Sequence, residues 1–130
     1  MSRVFTLIML VLLGFVSACR KDFKKEYNAP LVNIISPANG ATYTCGDTVP
    51  VKVNFGDDTR VQAIAGNINR FLPASSIFDC AKTMNTKTAT LDTFMVIPGV
   101  LYGNYQFEVY AQDPYENFTL TTVNFTAILP

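Results

Sequence analysis

The sequence predicts an all-β protein, an antiparallel β-sandwich of about seven strands. Two observations carry this prediction. Beyond residue 29, apolar and polar residues alternate in short runs, as in strands with one buried face, and no stretch has the periodicity of a helix. Turn-forming residues separate these runs, as at Asn39-Gly40, where a turn with positive φ is expected.

The individual strands follow from this alternation. "TVPVKVNF" (48–55) and "NYQFEVYAQD" (104–113) each place their apolar residues on one face. Pro50 has no N–H to donate, which predicts an edge or a bulge at that position. In the last strand the inward parity shifts between Leu120 and Val123, which predicts another bulge. The predicted strands are 31–36, 48–55, 59–68, a short edge strand at 77–83, 88–97, 104–113 and 118–128.

The N-terminal run Val4–Val16, "VFTLIMLVLLGFV", is apolar apart from one threonine and one glycine. A helix needs about 20 apolar residues to cross a bilayer, so this run is too short. Arg3 before it and the small residues Ser17 and Ala18 after it are typical of a secretory signal peptide. "VSAC" resembles the bacterial lipobox, whose cysteine becomes the first residue of the mature chain and carries lipid. The resemblance implies lipid attachment at Cys19, and the alternative is an ordinary signal peptide with an incidental cysteine.

We expect three segments: a signal peptide at 1–18, a lipidated tether at 19–29 and the β-sandwich at 30–130. The lipid would anchor the protein, because buried acyl chains supply about 0.8 kcal/mol of membrane affinity per CH₂. Arg20 follows the cysteine, where the lipoprotein sorting pattern that this resembles has aspartate for retention at the inner membrane. The resemblance therefore implies the bacterial outer membrane. It leaves open whether the domain faces the periplasm or the cell surface.

Composition excludes several classes of function. Ten basic and ten acidic residues give a formal net charge of zero, which argues against nucleic acid as a partner. The chain has no histidine, so the commonest general base and transition-metal ligand are missing. Ser75 and Ser76 therefore have no histidine to activate them, and the acidic pairs lie in predicted turns. We expect no enzymatic activity and no cofactor.

Two cysteines remain beyond the lipobox, Cys45 and Cys80. An exported compartment oxidises thiols, so this pair predicts a disulfide. The bond would fasten the irregular segment 69–87, whose strand signals are weak. The alternative is a pair of reduced cysteines buried in the core.

Two longer stretches resemble a known family. "SPANGATYTCGDTVPVKVNF" and "GNYQFEVYAQDPYENFT" are similar to the opening and closing halves of bacterial immunoglobulin-like domains of the fibronectin-III kind. The resemblance covers residues 30–130 and implies an immunoglobulin-like sandwich, with Tyr105 at the position of the tyrosine corner. The chain lacks the core tryptophan and the cysteine pair of antibody domains. Another small β-barrel or a jelly roll is the alternative fold.

In such a sandwich, alternate loops lie at opposite ends. Asp57 and Asp58 would come near Asp113, Glu116 and Asn117 at the end joined to the tether. Carboxylates from two loops can bind Ca²⁺, which takes six to eight oxygen ligands. Asp and Asn also favour turns for backbone reasons alone, so both interpretations stay open.

The opposite, membrane-distal end carries apolar residues on or beside its loops: Tyr43, Phe71, Leu72, Phe78 and Tyr102. They form either an exposed binding patch or a small buried cluster. We expect a lipid-anchored, non-catalytic cell-envelope protein that binds a glycan or a protein partner through its membrane-distal loops. The alternative is a structural spacer or assembly subunit of a surface complex with no ligand of its own. Exposed distal aromatics favour the binder, and a uniformly polar distal end favours the spacer.

Overall fold

The computed structural model describes residues 27–130, so the predicted signal peptide and Cys19 lie outside the described residues. Within this range the chain forms strands connected by turns, and no helix there is long and apolar enough to cross a membrane. The all-β prediction is confirmed. The strands are β1 (Leu31–Ser36), β2 (Thr42–Thr44), β3 (Thr48–Arg70), β4 (Ser75–Val96), β5 (Gly103–Gln112) and β6 (Phe118–Ile128).

The two longest strands, β3 and β4, bend and contribute to both layers of the sandwich. The first half of β3 pairs with β1 and with the second half of β4. The second half of β3 pairs with β5 and with the first half of β4. The first layer therefore contains β1 and one half each of β3 and β4. The second layer contains their other halves with β5, β6 and β2, and because β3 and β4 run through both layers, the six strands form one continuous curled sheet.

The bend in β3 corrects the sequence prediction, which divided this segment into two strands at "GDD" (56–58). The register with β4 shifts between Gly56 and Val61, and the strand continues. One carboxylate oxygen of Asp57 accepts hydrogen bonds from the backbone N–H groups of Thr59 and Arg60, at 2.8 and 2.7 Å. The Asp57 side chain thus satisfies two backbone donors at the point where the β3–β4 hydrogen-bond ladder is interrupted. β3 can therefore continue through this point without a loop. The predicted strands at 77–83 and 88–97 are likewise parts of β4.

The bulge predicted in the last strand is wrong. β6 pairs with β5 in an unbroken register from Phe118 to Ala127. Phe118 and Leu120 face outward and are 60% and 53% exposed, whereas Val123 lies on the inward side. The apolar residues thus switch from the outward to the inward face along β6, while the backbone keeps a regular strand conformation without a bulge.

The core lies between the layers and is built from the alternating residues of β3, β5 and β6. The inward residues of β3 and β5 are almost fully buried, as predicted from the alternation. The rings of Tyr105 and Phe125 stack with centroids 5.2 Å apart, and Phe78 meets Phe107 edge-on at 6.4 Å. Fully burying an aliphatic or aromatic side chain of this size contributes about 1.5–3 kcal/mol to stability.

The turn at Asn39-Gly40 carries the chain from the first layer to the second. Gly40 has a φ of 78°, which confirms the predicted turn. The side-chain oxygen of Asn39 accepts the backbone N–H of Asn124 at 3.0 Å, and the N–H of Gly40 donates to the carbonyl oxygen of Asn124 at 2.7 Å. β2 then runs parallel to the end of β6.

The sandwich has two ends. We call the end that carries Asn28 and Pro30 the tether end, and the end that carries Gly46 and Ile97 the distal end. At the tether end, the amide of Asn28 donates to Asp58 at 3.0 Å, and the hydroxyl of Thr119 donates to the carbonyl oxygen of Pro30. At the distal end, the N–H of Gly46 donates to the carbonyl oxygen of Ile97 at 2.9 Å. The turn 71–74 and the loop 97–102 lie at this distal end.

Candidate functional site

Four exposed apolar residues lie on the two neighbouring connections of the distal end. Leu72, Val100, Tyr102 and Phe71 are 82%, 77%, 54% and 49% exposed. The two connections are adjacent, because the N–H of Phe71 donates at 3.0 Å to the carbonyl oxygen of Asn104, which lies on β5 two residues after Tyr102. Neighbouring apolar side chains left in water are typical of an interaction site. We call these four residues the distal apolar patch.

The other two residues predicted for this patch belong to the core instead. Tyr43 packs edge-on against Phe125 with ring centroids 5.7 Å apart. Phe78 packs edge-on against Phe107, and both side chains are half-buried. The structure therefore brings together three of the five predicted residues, namely Phe71, Leu72 and Tyr102.

A row of amide side chains crosses the outer surface of the second layer beside this patch. Asn69 on β3 lies opposite Gln106 on β5, which lies opposite Asn124 on β6. Asn39 continues the row, because its side chain accepts the backbone N–H of Asn124. Across the strands, the Gln106 amide donates to the Asn124 side-chain oxygen at 3.5 Å.

A second row lies one step nearer the distal end. Thr126 on β6 lies opposite Asn104 on β5, and its hydroxyl donates to the Asn104 side-chain oxygen at 3.1 Å. Phe71 lies beside Asn104 and ends this row. Between the rows is an open groove of about 480 Å³. We call it the amide groove; its lining includes Asn39, Phe71, Asn104, Gln106, Asn124 and Thr126.

Sequence reasoning missed the amide groove. Asn104, Gln106, Asn124 and Thr126 occupy the outward positions of strands with the expected polar and apolar alternation. That pattern is the same for an ordinary solvated face and for a binding face. The only feature of the sequence that could have indicated the groove is that Asn and Gln, and not charged residues, occupy most of these outward positions.

Arg70 lies beneath Tyr102 at the distal end. Its side chain is only 7% exposed, and its Nε has no hydrogen-bond partner among residues 27–130. The guanidinium carbon lies 5.8 Å from the centroid of the Tyr102 ring, a cation–π contact. Gly103 has a φ of 134°, and a Cβ at this position would lie 3.3 Å from the Arg70 Nε. Both facts favour glycine at 103.

Tyr105 fastens the distal loop to the core. Its side chain is fully buried, and its hydroxyl donates a hydrogen bond to the carbonyl oxygen of Leu101. Burial raises the pKa of Tyr105, the charge of Arg70 opposes this shift, and Cys45 adds to it. The predicted tyrosine corner is confirmed.

At the tether end, Asp113 organises the turn between β5 and β6. It is fully buried, and one of its carboxylate oxygens accepts the backbone N–H groups of Tyr115 and Asn117, both at 2.8 Å. The other oxygen accepts the side-chain amide of Asn117 at 2.7 Å. Three donors therefore engage this carboxylate.

Asp57 and Asp58 at the tether end also bind the local backbone or a neighbouring side chain. Asp57 caps the bend in β3, and Asp58 accepts the amide of Asn28. Glu116 occupies a turn position with a φ of 68°. Within residues 27–130 there is no group of three or more His, Cys, Asp or Glu side chains that could bind a metal. The contacts of Asp57 and Asp113 with backbone N–H groups are those of turn-forming residues.

Comparison with known proteins identifies the family. Residues 30–109 match the family model described as Bacterial Ig domain. The chain belongs to this family. No curated protein matches the chain.

Solved structures similar to this bacterial Ig domain have low sequence identity to it. The fibronectin(III)-like modules of CbhA from Clostridium thermocellum match with a TM-score of 0.51 and 16% identity, over 77% of this chain and 47% of theirs. The chain thus spans about half of that structure. CopC from Methylosinus trichosporium OB3b matches with a TM-score of 0.49 and 16% identity, over 75% of this chain and 93% of its own. Murine CRIg has a TM-score of 0.43 and 11% identity, over 79% and 99% of the two chains.

The Cys45–Cys80 disulfide predicted for this Ig domain is absent from the structure, in which both thiols are free. Cys45 is buried at the distal end, where its N–H donates to the carbonyl oxygen of Ile128 at 2.8 Å. Cys80 lies well inside β4, opposite Gly66, and is half-buried. The two residues thus occupy different positions along the sandwich. Burial raises the pKa of the Cys80 thiol, a backbone hydrogen bond at Gly66 lowers it, and the charge of Asp79 raises it.

Proposed function

We propose that this protein is a lipid-anchored, non-catalytic cell-envelope protein that binds a glycan or a protein partner through its membrane-distal end. The observation that carries the proposal is the distal apolar patch. Its most exposed members are Leu72 and Val100, at 82% and 77%. Burying apolar surface releases about 25 cal/mol per Å², so an exposed patch provides affinity when a partner covers it.

The patch lies at the end of the sandwich away from the tether. Lipid at Cys19 would hold Asn28 and Pro30 near the membrane and direct the loops 71–74 and 97–102 away from it. The bacterial outer membrane is supported by "VSAC" followed by Arg20. The absence of histidine from the whole sequence supports a role without catalysis.

A second candidate function is a structural spacer or an assembly subunit, and a different surface supports it. The outer face of the first layer carries Phe94, Val96 and Ile35, which are 67%, 52% and 46% exposed. An apolar sheet face of this kind suits the packing of a neighbouring domain. This role would leave the distal apolar patch without a partner.

Photo-crosslinking in living cells tests the proposal. A benzophenone amino acid placed at Leu72 should give discrete adducts with an envelope component. The same group at Lys87, which is exposed in β4 near the bend at the tether end, is the matched control and should give none. Adducts at Phe94 without adducts at Leu72 would favour the spacer. Equal labelling at Leu72 and Lys87 would contradict binding at the distal end.

Membrane fractionation tests the anchor independently. Cys19→Ser removes the sulfur that would carry the lipid, so the variant should leave the membrane fraction after a carbonate wash. Cys80→Ser is the control and should stay in that fraction. A Cys19→Ser protein that resists the wash would show that the N-terminal run itself is the anchor.

A further inference from the structure

We infer that the amide groove binds a neutral oligosaccharide, with Phe71 as the platform on which one sugar ring packs. The inference rests on the proposed function and deepens it, because it selects a glycan over a protein as the partner. It also moves the main contact from the distal loops to the adjoining face of the sheet.

The groove presents donors and acceptors together. Each primary amide has two N–H donors and an oxygen with two lone pairs. Among residues 27–130, the side-chain nitrogens of Asn104 and Asn124 and the side-chain oxygen of Gln106 have no protein partner. Sugar hydroxyl groups both donate and accept hydrogen bonds, so they complement such a mixed surface. A purely apolar or purely anionic ligand would leave these groups unpaired.

The groove is uncharged, and this selects the class of sugar. None of its lining residues is Lys, Arg, Asp or Glu. Recognition of a uronic acid or a phosphate relies on basic side chains, and Arg70 faces the inner side of the sheet. Protein interfaces concentrate aromatic and apolar residues at their centre, whereas amides and a hydroxyl occupy the centre here. A neutral glycan fits these properties best.

The shape of the groove is suited to a short chain of sugars. It crosses the strands from Asn39, over β6 and β5, to Phe71 beyond the end of β3. Neighbouring strands are about 4.8 Å apart, so three spacings give a length of roughly 14 Å. The amides of Asn104, Gln106 and Asn124 sit on paired strands and are preorganised by them, which reduces the entropy lost on binding. Phe71 lines the groove and is 49% exposed, so its aromatic side chain is accessible to sugar C–H groups.

An array of immobilised neutral and uronic-acid-containing oligosaccharides tests the inference with the full chain, purified from membranes in detergent. We expect binding to at least one neutral oligosaccharide. Phe71→Ala and Asn104→Ala should each weaken it by about tenfold, the effect of losing one good contact. Glu108→Gln, one row outside the groove on the same face, is the matched control and should bind as the wild type does. Thermal midpoints of all variants verify folding.

Three outcomes would overturn the inference. These are no binding to any neutral oligosaccharide, binding only to acidic ones, and binding that Phe71→Ala and Asn104→Ala leave unchanged. A different result would contradict the proposed function, namely the absence of photo-crosslinked adducts at Leu72. If Leu72 forms adducts and the array is negative, the distal end binds a protein and the glycan inference is wrong.

Discussion

The hydroxyl of Tyr105 donates a hydrogen bond to the carbonyl oxygen of Leu101, four residues earlier in the chain. Leu101 lies between Val100 and Tyr102, two residues of the distal apolar patch. The bond thus connects the buried core of β5 to the loop that displays the patch. A side chain in the core therefore fixes the position of a proposed binding surface.

Removing that hydrogen bond should destabilise the fold moderately. Tyr105→Phe keeps the ring stacked on Phe125 and should lower the free energy of unfolding by about 1 kcal/mol, the net value of a typical hydrogen bond. Urea denaturation measures the change. Tyr110→Phe is the matched control, since Tyr110 stacks on Phe118 and its hydroxyl has no hydrogen bond within the described residues. Equal midpoints for wild type and Tyr105→Phe would contradict the corner.

The same tyrosine should make stability depend on alkaline pH. Burial raises the pKa of Tyr105 in the folded state, so the unfolded state loses this proton first as the pH rises. Its stabilising contribution is complete below the ordinary tyrosine pKa of about 10 and is lost as the pH rises through the folded-state value. Unfolding free energies measured from pH 8 to 11 should fall less steeply in Tyr105→Phe than in wild type. If the unfolding free energy falls equally steeply with pH in wild type and Tyr105→Phe, the raised pKa of Tyr105 is contradicted.

Replacing Arg70 should not destabilise the domain. The buried guanidinium Nε has no hydrogen-bond partner in the part of the chain that the structure describes. An unsatisfied buried donor costs about 1–3 kcal/mol, more than the roughly 0.5–1 kcal/mol of an exposed cation–π contact. Arg70→Met keeps most of the apolar stem and should raise the unfolding free energy by about 1 kcal/mol. Arg60→Met, at the exposed bend of β3, should have no effect. A clear loss of stability in Arg70→Met would show that the guanidinium is paired.

We expect Asp113 to stabilise the fold and not to bind Ca²⁺. Asp113→Ala removes an acceptor for three N–H groups and should cost roughly 3 kcal/mol, whereas Asp79→Ala on the exposed face of β4 should cost little. Millimolar Ca²⁺ should leave the thermal midpoint of the wild-type protein unchanged. A rise in the midpoint that Asp113→Ala abolishes would restore the calcium hypothesis.

The cysteines should react as two free thiols. Alkylation of the unfolded, non-reduced protein should label both Cys45 and Cys80, as mass spectrometry can verify. In the folded protein, labelling of Cys80 at neutral pH should be slow, because its raised pKa keeps it as the unreactive thiol. An unlabelled pair linked in one proteolytic fragment would show that the disulfide forms after all.

The alternation of residues was enough to predict the buried faces, because the side chains of β3 and β5 follow the period of a strand. It could not predict that β3 continues through Asp57, since "GDD" has the composition of a loop and of a bulge alike. Long-range pairing with β1 and β5 decides between them. The amide groove could not be predicted from the sequence for a related reason. Only the register between strands aligns Asn69, Gln106 and Asn124 in one row.

The distal end and its adjoining amide groove together form the proposed binding surface. Backbone amide chemical shifts, recorded by NMR while the oligosaccharide selected on the array is titrated into the protein, test this most directly. We expect the largest changes at Phe71, Asn104, Gln106 and Asn124. Changes centred on Asp58 and Asn117 at the tether end would contradict it, as would a spectrum that does not change.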